Sequence, residues 1–129
     1  MANPKARNTY AAYKNVEAKT ASPVQLVVLL YEGAVKHIRK GEALLQGEDS
    51  FHAGAEHVLR AMCIVTELAG ILNPQASPDL ARNLSGIYQH IIGLLSQALR
   101  ERDPETLPEA AGILESLGSA WRQLTQGAA

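Results

Sequence analysis

From Phe51 to Leu72 the apolar residues fall at alternating intervals of four and three: Phe51, Ala55, Val58, Met62, Val65, Ala69 and Leu72. An α-helix puts such a series on one face, and a helix that carries it has to bury that face against other helices. One residue earlier, about 100° around the same helix, runs a second apolar row of Ala61, Ile64, Leu68 and Ile71. The pattern returns further along, with Leu80, Leu84, Ile87, Ile91, Leu94 and Ala98 as a seam and Tyr88, Ile92, Leu95 and Leu99 as its added row. A last seam of Ala110, Leu114, Leu117, Trp121 and Leu124 puts Trp121 in a core. Strand-like alternation and hairpin dipeptides are absent from the sequence.

Local chemistry marks where these helices begin and end. Ser22-Pro23-Val24-Gln25 reads as a capping box, with Ser22 as N-cap, Pro23 where its missing N–H costs nothing, and Gln25 closing the box. The apolar run Leu26–Tyr31 is then the opening of a helix that continues through Ile38 and Leu45 and stops near Gly47, with Glu32 and Lys36 paired on its wet side. Asn73-Pro74 ends the second helix and Ser77-Pro78 opens the third, which should finish before Asp103-Pro104. Thr106-Leu107-Pro108-Glu109 is a box that starts a fourth, with Thr106 as cap. The expected architecture is all-α: an antiparallel up-down-up-down four-helix bundle over residues 22–127, preceded by a mobile tail, residues 1–21, that holds at most a short cap helix.

Composition narrows the function classes. Residues 1–21 hold Lys5, Arg7, Lys14 and Lys19 against Glu17, and the bases do not continue as a stripe into the body, which argues against nucleic acid as a partner. Cys63 is alone, so an internal disulfide is impossible, and the N-terminal stretch lacks the apolar segment of a signal peptide. Leu26–Tyr31 is far shorter than the ~20 residues that span a bilayer, so membrane insertion is not expected and a cytoplasmic location is. No Glu-x-x-His pair occurs, His52 and His57 are five apart and do not share a helix face, and the glycines form no phosphate loop. Cys63, set between Met62 and Ile64, reads as an inert filler. No catalytic, cofactor-binding or metal-binding residue is therefore assigned. What stands out is apolar width: three helices carry more apolar surface than a bundle helix needs, to be covered by a wide core, a weak homodimer or an amphipathic partner helix.

Thr20-Ala21-Ser22-Pro23, Leu26 and Leu29-Leu30-Tyr31-Glu32-Gly33-Ala34 together resemble the FliS family of flagellar export chaperones. The resemblance continues through Arg60-Ala61, Ile64-Val65, Asn83-Leu84, Ile87-Tyr88, Leu95, Ala98, Asp103 and Ala120-Trp121, nearly the whole chain from Tyr10. The chain departs from the family pattern at Asn73–Pro78, where an acid and paired glycines are common, and at Glu32, where Asp is common. The resemblance implies a cytosolic bundle that binds the C-terminal segment of newly made flagellin, blocks its premature polymerisation and presents it to a component of the flagellar export gate. On that reading Leu26, Leu30, Ile64, Leu68, Tyr88 and Leu95 form or border the grooves that take the client's helices. Tyr10 and Tyr13, three apart and so on one helical face, form a lid over an empty groove. The rival class is a dimeric four-helix adaptor with no unfolded client.

Overall fold

The structure is a computed structural model that describes residues 23–127. The Ser22 cap and the tail, with Tyr10 and Tyr13, lie outside the described residues. Four helices follow one another: α1 (Pro23–Leu44), α2 (Phe51–Ile71), α3 (Pro78–Glu101) and α4 (Leu107–Gly127), with a 3-10 turn, Pro104–Thr106, leading into α4. Among the described residues there is no strand.

The short connections force consecutive helices to run in opposite directions, and cross-helix pairs record it. Arg39 of α1 meets Glu115 of α4 at 2.8 Å, while Glu32, two turns earlier, meets Arg122, two turns later, at 3.5 Å. Each helix packs on the next and α4 returns to α1, which closes the up-down-up-down ring. The packing is uneven: α1 lies close along both α2 and α4, whereas α3 touches its two neighbours over less of its length. Two buried glycines explain the tight α1–α2 contact. A Cβ on Gly41 would lie 2.7 Å from Val58 Cγ2, and one on Gly54 would lie 2.9 Å from the Leu45 nitrogen, so only hydrogen fits at either.

The core is aliphatic, with Leu30, Ile38, Val58, Val65, Ile91, Leu95, Leu107 and Leu114 wholly enclosed; full burial of one such side chain is worth about 1.5–3 kcal/mol. Its polar inclusion is a pair of tyrosines on diagonally opposed helices. Tyr31 of α1 and Tyr88 of α3 join their hydroxyls, with ring centroids 6.4 Å apart, and the Trp121 indole N–H donates to Tyr31. Both hydroxyls are thereby satisfied, as burial requires.

Four expectations are corrected by this arrangement. In α2 the second row lies deeper than the seam, with Ala61, Ile64 and Leu68 buried while Phe51, Met62 and Leu72 of the seam are half-buried; in α3 both rows reach the core, Leu84, Ile91, Leu94 and Ala98 from the seam and Tyr88 and Leu95 from the second row, while Leu80 at the start of the seam is exposed. Glu32 pairs with Arg122 across helices, not with Lys36 along its own. Thr106 does not cap α4; its hydroxyl donates to the Leu94 carbonyl of α3 at 2.7 Å, and Asp103, one turn earlier, accepts from the Glu105 N–H instead. The α4 seam leaves the core at its end: Leu117 and Trp121 are half-buried and packed against the core, and Leu124 is 60% exposed.

Candidate binding site

The α2–α3 connection is built by its own residues. Pro74 cannot continue α2, and the Asn73 side-chain oxygen accepts from the Gln75 N–H at 3.1 Å while its carbonyl takes the N–H groups of Ala76 and Ser77. Pro78 then opens α3, with Asp79 in the first turn, where the helix dipole favours an acid. Ser77 holds the cap position but contributes its carbonyl, bonded by the Ala81 N–H at 3.0 Å, and its side chain makes no cap bond. This tight turn holds the end of α2 and the start of α3 apart as two lips.

Between the lips is a cavity of about 200 Å³. Leu68 and Ile71 of α2, with Leu72 just past its end, form one wall and Leu80, Ala81, Leu84 and Tyr88 of α3 the other; Val27 of α1 and Trp121 of α4 close it. The polar groups at this wall are the Tyr88 hydroxyl and the indole N–H, both already bonded within the core, and Asn73 and Ser77 at the rim. Leu80, 49% exposed, stands at the mouth. Two larger concavities differ in chemistry. One, about 350 Å³ between α1 and α4, is rimmed by Glu32, Lys36, Glu115 and Arg122; the other, about 420 Å³ at the far end of the bundle, is rimmed by Glu48 and Arg102. Their walls suit water and ions, whereas the α2–α3 cavity suits an apolar side chain.

The sequence-derived groove residues divide against this geometry. All six that fall within the described residues, Leu26, Leu30, Ile64, Leu68, Tyr88 and Leu95, are buried. Leu68 and Tyr88 also line the cavity, and the other four do not. Ile71, Leu72 and Leu80 complete the cavity and carry the same chemistry, but an apolar-row position at a helix end looks no different in sequence from one at its middle. Trp121 belongs to the site as a wall, which its place on the α4 seam concealed. Among the described residues there is no group of three or more His, Cys, Asp or Glu that could hold a metal ion, and no helix long and apolar enough to cross a membrane.

The fold and the cavity together define a four-helix bundle with an apolar cavity open between α2 and α3. Comparison with known proteins assigns the class more closely. The chain belongs to the family described as flagellar protein FliS, whose family model matches residues 6–128. Curated relatives named flagellar secretion chaperone FliS are similar over nearly their whole length. That of Vibrio cholerae is 29% identical over 122 residues, covering 92% of this chain and 89% of its own. The Bacillus subtilis relative is 29% identical, covering 93% and 88%, and the Campylobacter jejuni relative 30% identical over 115 residues, covering 89% of each chain. A solved bacterial flagellar chaperone has the same fold, with a TM-score of 0.75 at 22% identity over 91% of this chain and 97% of its own.

Proposed function

We propose that this chain is a cytoplasmic export chaperone for flagellin, which holds the C-terminal segment of the client, prevents its premature polymerisation and delivers it to a gate component of the flagellar type III export apparatus. The observation that carries the reading is the apolar cavity between α2 and α3, open at Leu80, in a chain of the FliS family. An amphipathic segment folding onto the bundle would insert one apolar side chain there and lay its remaining face along the exposed surface beside it, the recognition mode of a helix in a groove. In the same reading the tail, residues 1–21, is a lid, with Tyr10 and Tyr13 taking the client's place until it arrives. Client and lid then compete, and client affinity is reduced by the closed fraction.

The test mixes the protein with flagellin that keeps or lacks its C-terminal segment. The complete client should raise the melting temperature further as its concentration is increased, and the truncated one should not. Equal effects of the two clients would reject the assignment of the segment. Deleting residues 1–17 should quicken association with the segment; unchanged kinetics and melting temperature would reject the lid.

A further inference from the structure

The seam between α1 and α2 carries a contact that the cavity does not use. His37 of α1 and His57 of α2 stack with ring centroids 5.2 Å apart and planes 29° apart, and their Nδ1 atoms lie 3.0 Å from each other. A hydrogen bond between two ring nitrogens needs one N–H and one lone pair, so one of the imidazoles has to be neutral. When both Nδ1 atoms carry protons, two donors and two positive charges face each other.

The surroundings aggravate that state. Lys36 and Lys40 on α1 and Arg60 on α2 all act on His37 with the same sign, and no carboxylate is among the charges that do. The acids of the two helices are placed elsewhere: Glu32 and Glu42 pair with Arg122 and Arg39, Glu56 is exposed, and Glu67 is half-buried. The same three cations disfavour a divalent metal between the rings, and no third ligand joins them among the described residues.

We propose that the His37–His57 pair is a pH-sensitive latch between α1 and α2, closed while one imidazole is neutral and released when both are protonated, which loosens this edge of the bundle. Burial first, then His57 and the three cations, hold His37 below its ordinary value of 6.5. The fold thus favours the neutral ring, whereas the unfolded chain takes up a proton near 6.5, so this stability is present above 6.5 and is lost as the pH falls below it. Glu67 cannot imitate the effect. Burial raises its carboxyl, so its contribution is lost as the pH rises, the opposite sign.

The test is thermal unfolding of the wild-type protein, His37→Asn, His57→Asn and the double variant at about pH 7.5 and about pH 5.5, either side of the ordinary histidine value. On acidification the wild type should lose about 3 °C more than either single variant, the scale on which a modest stability change moves a domain of this size. The double variant should behave like His37→Asn, because either substitution removes the contact and only His57→Asn leaves His37 its burial and its three cations. Equal acid-side losses in all four proteins, or single effects that add, overturn the latch. Ring-proton NMR titration of the wild type needs no variant: the two histidines should titrate as a coupled pair with one step held low, and two independent steps near the ordinary value would overturn it.

Discussion

At Gly54 a single hydrogen atom decides how closely two helices approach. A Cβ there would meet backbone atoms, the Leu45 nitrogen at 2.9 Å and the Leu44 carbonyl carbon at 3.1 Å, and backbone cannot rotate aside. Gly54→Ala should therefore destabilise the protein by about 1–3 kcal/mol, although Ala is the better helix former. Gly86 of α3 has nothing within 4 Å of such a Cβ, and Gly86→Ala should stabilise by about 0.5–1 kcal/mol. Urea midpoints moving in opposite directions are the expected result; two shifts of the same sign would mean that the α1–α2 approach is looser than the geometry states. Tyr31 and Tyr88 give a second prediction. Burial is the main cause that lifts both hydroxyls above their usual 10; for Tyr88 the bond to Tyr31 adds to the rise, while for Tyr31 the bonds from Tyr88 and Trp121 oppose it. Raised folded-state values mean stability that is intact below 10 and lost as the pH climbs beyond it. The melting temperature should fall above about pH 10, and Tyr88→Phe should flatten that alkaline slope. An unchanged slope in the variant would show that other groups set the alkaline limit.

Helix ends are legible in this sequence where the deciding chemistry is local. Pro23 and Pro78 stand as the first residues of α1 and α3 because that position needs no N–H, and Asn73-Pro74 stops α2 for the complementary reason. Thr106 satisfies the pattern of a cap and is not one, because its hydroxyl has a better-placed acceptor, the Leu94 carbonyl, on another helix. Four consecutive residues cannot reveal such a bond. Thr106→Val, which keeps the shape and removes the hydroxyl, should cost about 0.5–1.5 kcal/mol, and Thr106→Ser should keep most of the stability. Chemical denaturation of the two variants checks this; a serine variant weaker than the valine one would assign the role to the methyl group. The same distinction explains the apolar rows. Periodicity identifies two rows about 100° apart but does not say which points inward. That choice is made between helices, by the close approach at Gly41 and Gly54 and by the Tyr31–Tyr88 bond, and it turns Leu68, Tyr88 and Leu95 into the core. Leu68 and Tyr88 lie on rows legible in the sequence and line the cavity because wall and core coincide there, whereas Leu72 and Leu80 owe their place at its lips to the turn between them.

Among the described residues, α1 is gripped along both α2 and α4, and α3 is the least held of the four helices. The cavity opens along that weaker boundary, between the end of α2 and the start of α3. A partner can seat an apolar side chain there without disturbing the glycine-tight contact of α1 with α2. This separates two substitutions that look alike in sequence, since Leu68 and Leu80 both sit on apolar rows and both line the cavity. Leu68 is 2% exposed, so a carboxylate at Leu68→Glu would be buried in the core, and that protein should lose its helical fold. Leu80 is 49% exposed, so at Leu80→Glu the carboxylate reaches water at the mouth, and fold and melting temperature should stay near those of the wild type. What changes is the docking surface: an apolar side chain entering the cavity would have to pass and desolvate the new charge. Circular dichroism with calorimetric titration of the flagellin C-terminal segment distinguishes the outcomes. The expected result is an unfolded Leu68→Glu, and a folded Leu80→Glu whose affinity falls at least tenfold, the equivalent of about 1.4 kcal/mol. A folded Leu80→Glu with undiminished affinity would remove the cavity from the binding surface and send the search for the client site to the charged groove between α1 and α4.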